Sequence, residues 1–302
     1  MAKKCSIIDN LKNNAKEFKQ TIAEPQSTDE TIIKGYFSDY RFNIYGGKMD
    51  RSIIDMYNDG DGNELASKAC AFHSSSMLAY NCFHWISKEQ PLTLSWPDGN
   101  RIEYSRVRFE AKLSVLKNSS RKSNMDVVLT NDNRDVVFIE SKFLEYTNKG
   151  EFKFSESYEN KSNYYINGEE WSKFISEMLA DKKDYCDGIK QEICHLIAIT
   201  NWLKNSGDHS IEAYKKGSDV RFINLVFDPL ENLKEHTAYM EYCKRYTAFH
   251  DKVKNANHID SHSIKMDFYP YSWLWAKLQD QIPKELKEYL NKHYFTYSNY
   301  KP

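Results

Sequence analysis

Two acids and a lysine stand within a short stretch of strand-forming sequence. Asp126 begins one apolar run, and Glu140 and Lys142 end a second run that starts at Val136. Side chains alternate along a strand, so Glu140 and Lys142 are expected on one face. The polar turn at 131–134 is short enough to pair the two runs as a hairpin, which would bring Asp126 close to Glu140. Charges in apolar strands are costly to bury without partners, so the three side chains are expected to meet at one edge of a sheet.

This set of side chains suits phosphodiester hydrolysis. The carboxylate oxygens of Asp126 and Glu140 are ligands that Mg²⁺ prefers, and Mn²⁺ could take the same place. A metal held there would acidify water and offset the charge of the scissile phosphate. Lys142 could position the attacking water and stabilise developing negative charge. The three residues therefore predict the catalytic centre of a metal-dependent phosphodiesterase.

The order Asp126, a hairpin-length gap and then Glu140-Ser141-Lys142 resembles the PD-(D/E)XK nuclease superfamily. The resemblance covers roughly residues 60–230, and Met125 stands where the motif has its proline. It implies a core of a helix, a mixed sheet and a following helix, which agrees with the element pattern described below.

Further stretches are similar to a bacterial group of restriction-endonuclease-like proteins. They are Glu64 with His73-Ser74-Ser75-Ser76, Phe109-Glu110, and the run from Glu140 to Tyr146. This resemblance implies that Glu64 supplies a third metal-binding acid from the first core helix. It also implies that Gln191 and His195, one turn apart on a later helix, face the site.

A Glu-x-Lys pattern is by itself weak, because Glu110-Ala111-Lys112 is a second copy in the same chain. The setting favours the later copy: an acid lies at hairpin distance, apolar residues flank it on both sides, and a helix follows. Glu110 is interpreted either as an acid supporting the metal site or as an exposed strand residue, and the exposed position is favoured.

Other candidates also have two interpretations. Glu64 is either a metal ligand or an early-turn carboxylate that interacts with the helix dipole. The serines Ser74 and Ser75, in the middle of the predicted helix, either allow tight packing or contact backbone phosphates. The acid–lysine set could be a buried salt bridge, but such bridges are poor stabilisers. The remaining candidate substrate contacts, which could equally be solvated side chains, are Lys122, Lys190 and His195.

Helix and strand patterns alternate along the chain. Predicted helices cover 5–22, 64–86, 184–204, 230–250 and 272–294, the last broken at Pro283. Predicted strands cover 92–96, 103–115, 125–130, 135–143, 220–227 and 264–269, while 23–62 is interpreted as loops with short extended pieces. The order predicts an α/β fold: a restriction-endonuclease-like core with a mixed central sheet flanked by helices, plus helical N- and C-terminal additions. Because no linker composition interrupts the chain, one domain is expected, with an N-terminal extension at 1–60, a nuclease core at 61–228 and a C-terminal extension at 229–302 packed on the core.

Composition limits the class of protein. The 302 residues carry a formal net charge of −1, so binding of a polyanion would depend on a local patch or on bound cations. No apolar run of about 18 residues and no signal peptide are present, which predicts a cytoplasmic protein with no membrane partner. The six cysteines form no Cys-x-x-Cys pair, which favours reduced thiols, and no set of four well-spaced ligands indicates zinc.

These patterns and the resemblance together predict a Mg²⁺-dependent deoxyribonuclease, an endonuclease acting in restriction, defence or repair. One alternative is a nucleic-acid-binding module that kept the fold and lost turnover. Another is a relative that cuts RNA, since nothing in the sequence discriminates the sugar. A homodimer is compatible with cutting both strands, although no dimer surface can be identified from the sequence.

Overall fold

The computed structural model describes residues 6–11, 32–33, 36–37, 39–59, 64–147, 152–181, 187–256, 259 and 263–299. The described part of helix α1 covers 7–11, and the rest of the helix predicted at 5–22 lies outside the described residues. The remaining helices are α2 (Arg51–Asp59), α3 (Ser75–Phe83), α4 (Gly168–Ala180), α5 (Asp187–Leu203), α6 (His236–Lys254), α7 (Tyr271–Leu278) and α8 (Lys284–His293). The strands are β1 (Ile32–Ile33), β2 (Tyr36–Phe37), β3 (Leu92–Ser95), β4 (Arg101–Tyr104), β5 (Arg106–Ser114), β6 (Lys122–Thr130), β7 (Val136–Lys142), β8 (Val220–Val226) and β9 (Lys265–Pro270).

A five-stranded mixed sheet with the order β5-β6-β7-β8-β9 forms the centre of the molecule. Strands β5, β6 and β7 pair antiparallel, whereas β8 and β9 add in parallel to β7. Every residue of β7 and β8 is buried, as expected for strands covered on both faces. The predicted α/β class with a restriction-endonuclease-like core and helical additions is confirmed.

Two apolar layers cover the faces of this sheet. One layer joins alternate residues of β6 and β7, such as Val127 and Ile139, to helices α2, α3, α7 and α8. The other joins residues such as Phe138 to helices α4, α5 and α6. The period-2 alternation that the sequence displays therefore divides each strand between two cores.

The hairpin β6–β7 has the register that the site requires. Val127 lies opposite Ile139 and Thr130 opposite Val136, so the turn falls at the predicted residues 131–134. Strand β8 lies parallel beside β7 and places Asn224 next to Glu140. The predicted strands 125–130, 135–143 and 220–227 are confirmed.

The predicted single strand at 103–115 is wrong. The chain leaves a separate two-stranded sheet, β3–β4, at Tyr104 and enters the central sheet at Arg106. Ser105 lies between the two strands, and its N–H donates to the carbonyl of Thr130. The apolar alternation changes phase at this point, from Ile102 and Tyr104 to Val107 and Phe109, and this shift was the available signal of the change of sheet.

The predicted long helix from Glu64 to Ile86 is also wrong. Residues 64–67 form turns, Lys68–Cys70 form a 3₁₀ helix, and Ala71 pairs with Tyr36 in an isolated bridge. Helix α3 begins only at Ser75, because the Ser74 side chain accepts a hydrogen bond from the Met77 N–H and caps it. Helix α2 was in turn missed in the segment interpreted as loops.

The C-terminal part is helical and packs on the core. The predicted break at Pro283 separates α7 from α8, and β9, which lies beyond the predicted core boundary at 228, supplies the fifth strand of the sheet. The division into 1–60, 61–228 and 229–302 stays a prediction. No helix among the described residues is long and apolar enough to span a membrane.

Candidate active site

The open end of the β6–β7 hairpin brings Asp126 and Glu140 together. The last regular pair of the ladder is Val127 with Ile139, one residue before the two acids. There the Asp126 carboxylate replaces a backbone partner, because its Oδ2 accepts the Ser141 N–H at 2.7 Å. The two strands are therefore joined by a side chain at the point where both acids reach a common cavity.

That cavity has a volume of about 280 Å³. It is lined by Glu64, Lys68, Ser75, Ser76, Glu110, Asn124, Asp126, Glu140, Ser141, Lys142, Glu145 and Gln191. Five carboxyl groups face two ammonium groups, which gives a formal charge of −3 when all are ionised. The predicted catalytic residues Glu64, Asp126, Glu140, Lys142 and Gln191 thus share one strongly acidic cavity.

Lys142 forms a buried ion pair with Glu140 on the same strand. Its Nζ contacts Glu140 Oε1 and also donates to Gln191 Oε1 at 2.7 Å. Burial raises the pKa of Glu140, but Lys142 and His195 outweigh it and lower that pKa to about 2. Burial lowers the pKa of Lys142, and the Glu140 charge more than compensates, so the Lys142 pKa is raised. Both groups are therefore charged at neutral pH.

Asp126 is in the opposite electrostatic situation. Burial raises its pKa first, and the neighbouring charges of Glu140 and Glu110 raise it further. The Lys142 charge and the Ser141 N–H act in the other direction without cancelling this effect. The Asp126 carboxyl therefore lacks positive charge at its position, which a cation in the cavity would provide.

Glu110 is the site residue for which the exposed position was wrongly favoured. Its φ of 50° puts it in the left-handed region inside strand β5. The β5–β6 pairing continues on both sides, at Phe109–Val127 and Ala111–Met125, and omits the pair that would join Glu110 to Asp126. Phe109 and Ala111 consequently pack into different cores, and Glu110 lines the cavity beside Asp126. The available signal was its place opposite Asp126 in an antiparallel register.

Glu64 reaches the cavity from a turn rather than from a helix. Its Oε1 accepts from the Ser76 hydroxyl at 2.6 Å, and its Oε2 pairs with Lys68 at 3.1 Å. The Ser141 hydroxyl donates to the Ser75 carbonyl at 3.1 Å, which ties β7 to the first turn of α3. The start of α3 therefore fixes one wall of the cavity to the strand that carries Glu140 and Lys142.

A comparison with protein families decides the relationship of the chain. Residues 58–295 match the family model REase-ARP, described as "Restriction Endonuclease associating with ARP". The chain belongs to this family. No curated protein and no solved structure gave a match. The match of the REase-ARP family includes every residue that lines the cavity, and a restriction-endonuclease-like nuclease is the class that it supports.

Some predicted substrate contacts of this REase-ARP member lie elsewhere. Ser74 is 5% exposed and caps α3, so the predicted phosphate contact at Ser74 is not supported, whereas Ser75 lines the cavity. His195 is 1% exposed and bonds Glu140 from behind, so it is not placed to touch a substrate. Lys122 is exposed and bonds the Asp208 carbonyl at 3.5 Å, outside the cavity. Lys190, also outside the cavity, lies 5.9 Å from the centre of the Phe154 ring.

The donors in the cavity suit a hard cation. Glu64, Asp126 and Glu140 offer the carboxylate oxygens that Mg²⁺ prefers, and the negative cavity would repel a phosphodiester unless a cation were bound. Among the described residues no three such side chains already stand in a metal-binding arrangement. In this arrangement Lys142 bonds one oxygen of Glu140 and His195 bonds the other.

Proposed function

We propose that this protein is a Mg²⁺-dependent endonuclease of the PD-(D/E)XK type that hydrolyses phosphodiester bonds in DNA. The observation that carries the proposal is the meeting of Asp126, Glu140 and Lys142 at one strand end in an acidic cavity. Membership of a restriction-endonuclease family supports DNA as the substrate, and restriction or another defence or repair cut as the role. The same description names an association with ARP, which we extend to this chain as part of the proposal.

In this proposal Asp126, Glu140 and Glu64 hold Mg²⁺, and Mn²⁺ is the expected substitute. Mg²⁺, when bound, supplies positive charge at the scissile phosphate and acidifies water there. Glu140 is ready for this role because its pKa of about 2 keeps it ionised. Glu64 is held in place by Ser76 and Lys68, so its carboxylate is oriented before any ligand arrives.

Lys142 acts as a charged donor and not as a general base. Its raised pKa keeps the ammonium protonated, so it cannot accept a proton from water at neutral pH. It can instead orient the attacking water and stabilise the negative charge that develops on the phosphoryl oxygens. Gln191 supports this role because its side-chain oxygen fixes the direction of the ammonium group.

The test is cleavage of supercoiled and linear DNA in Mg²⁺, Mn²⁺, Ca²⁺ or EDTA, with single-stranded RNA as a parallel substrate. Asp126→Asn, Glu140→Gln and Lys142→Met are each expected to lose at least a hundredfold in rate, the order found when a preorganised charge is removed. Glu89→Gln, an exposed acid outside the cavity, is the matched control and should cut like wild type. Equal cleavage by wild type and Glu140→Gln would refute the mechanism.

Two further outcomes of that experiment distinguish the alternatives. DNA binding without cleavage in any metal would identify an inactive binding module. Cleavage of RNA alone would change the substrate class while leaving the site intact. A homodimer, which a concerted cut of both strands would require, is checked by light scattering with and without DNA.

A further inference from the structure

A buried chain of hydrogen bonds stands behind Glu140. The Ser123 hydroxyl bonds His195 Nδ1 at 2.5 Å, and His195 Nε2 bonds Glu140 Oε2 at 2.8 Å. The exposed fractions of Ser123, His195 and Glu140 are 5%, 1% and 1%. Ser123 and His195 therefore lie inside the protein, and neither lines the cavity that Glu140 reaches.

Both nitrogens of the His195 ring are bonded. A carboxylate oxygen can only accept, so the Nε2–H of His195 donates to Glu140 Oε2. On the opposite edge of the ring, His195 Nδ1 bonds the Ser123 hydroxyl. The Phe222 ring packs edge-on against the imidazole at 5.7 Å between centroids. These three contacts hold the ring in one orientation.

The chain also connects the elements that carry the two acids. Ser123 lies on β6 three residues before Asp126, Glu140 lies on β7, and His195 bridges them from α5. One turn earlier on α5, Gln191 holds Lys142. Helix α5 thus supports both members of the Glu140–Lys142 pair. His195 bonds Glu140 Oε2, and Lys142 contacts the other oxygen, Oε1.

We propose that His195, oriented by Ser123, is a positioning residue that fixes the Glu140 carboxylate for binding a divalent cation. This inference rests on the proposed function. A purely structural role would be served better by apolar side chains, because a buried polar chain between three elements is a weak source of stability. Partners behind a metal-binding carboxylate or histidine typically change metal affinity by 10–100-fold when removed.

The test measures cation binding without DNA, by calorimetric titration of Ca²⁺ and Mn²⁺ into the full chain. His195→Leu removes the donor and is expected to weaken binding 10–100-fold. His195→Gln keeps an N–H that can reach Glu140 and is expected to recover most of the affinity. Ser123→Ala leaves the His195–Glu140 bond but frees the ring, so a smaller loss is expected. His84→Gln, a partly buried histidine outside the cavity, is the matched control and should bind like wild type.

Thermal unfolding of each variant separates folding from positioning. If His195→Leu does not fold, Ser123→Ala decides the question by its cation affinity and by the Mg²⁺ concentration that gives half-maximal cleavage. Wild-type cation affinity in folded His195→Leu, or in Ser123→Ala where His195→Leu does not fold, would overturn the inference. Absence of cation binding and cleavage in wild type would instead refute the proposed function, so the two failures are distinguishable.

Discussion

Replacing Lys142 by methionine should cost far more stability than the loss of a surface charge. The Lys142 and Glu140 side chains are 8% and 1% exposed, so the substitution leaves a buried carboxylate without its cation. Breaking a buried ion pair on one side typically costs about 3–5 kcal/mol. Unfolding entropy of about 2.1 cal/mol/K per residue gives roughly 0.6 kcal/mol/K for this chain, so the melting temperature should fall by about 5–8 °C.

The double variant Glu140→Gln/Lys142→Met tests the cause of that loss. With both charges removed no unpaired ion is buried, so the double variant should be more stable than Lys142→Met alone. A divalent cation should also stabilise Lys142→Met more than wild type, because it would replace the missing positive charge beside Glu140. Lys161→Met breaks the exposed pair with Glu169, whose side chains are 64% and 75% exposed, and serves as the matched control.

The assay is thermal and urea unfolding, with EDTA and then with Mg²⁺, of five proteins: wild type, Lys142→Met, Glu140→Gln, the double variant and Lys161→Met. The expected order without metal places Lys142→Met lowest, with Lys161→Met indistinguishable from wild type. A Lys142→Met variant as stable as the Lys161→Met control would refute the burial of this ion pair. Additive losses in the double variant would refute the electrostatic explanation even if each single loss were found.

Three further predictions concern other polar residues. Glu110→Gly should raise the free energy of unfolding by about 1 kcal/mol, because glycine accepts a φ of 50° without strain. The same substitution should lower the cleavage rate, because it removes a cavity carboxylate. Urea unfolding should therefore show higher stability while the cleavage assay shows lower activity. Burial and the Glu140 charge raise the Glu192 pKa in the folded protein, so above pH 4.5 only the unfolded wild type releases the Glu192 proton. Glu192→Gln should therefore gain stability relative to wild type as pH rises, by about 1.4 kcal/mol per pH unit up to the folded pKa. Urea unfolding at pH 5 and pH 7 measures this, and an equal stability difference between the two proteins at both pH values would contradict it. Burial lowers the His293 pKa from 6.5 to about 3, so between pH 7 and pH 5 the unfolded chain binds a proton while the folded His293 stays neutral. The free energy of unfolding of wild type should therefore fall by about 2 kcal/mol over this range through His293. His293→Gln should lack this loss, as measured by urea unfolding at both pH values.

The central strands and their acids could be predicted because one simple rule governs them. Period-2 alternation assigns a face to each residue, and a short polar turn fixes the hairpin register. Asp126, Glu140 and Lys142 follow from these two facts, and the cavity that they share agrees with the prediction. The uniformly buried strand β8 was identifiable from its high apolar content, since strands covered on both faces are rich in apolar residues; Arg221 and Asn224 are its two polar residues.

Features that depend on single backbone angles or caps could not be predicted. Apolar residues recur at helical spacing from Glu64 onward, but the Ser74 side chain caps α3 and the preceding residues turn. The left-handed φ of Glu110 leaves no trace in the spacing of apolar residues, so the exposed position was favoured, and only its place opposite Asp126 in the register pointed to the cavity. The family resemblance implies that Gln191 and His195 both face the site, whereas in the structure Gln191 lines the cavity and bonds Lys142, and His195 bonds Glu140 without lining the cavity.

The charges around the cavity explain why the fold accepts so many costly groups in one place. A sheet built only for stability would bury apolar residues at the end of β6–β7, whereas this chain buries Glu140 and Lys142 and crowds Asp126 against other acids. The surplus negative charge is unfavourable for the isolated protein, and burial together with the charges of Glu140 and Glu110 raises the pKa of Asp126. A divalent cation would relieve this repulsion, because it interacts with several carboxylates at once, and its binding would stabilise the folded protein. In the proposed function the anionic substrate would need that same cation to enter the cavity. The stability that the chain gives up at this strand end is therefore the physical basis for expecting the cation, and with it the hydrolysis.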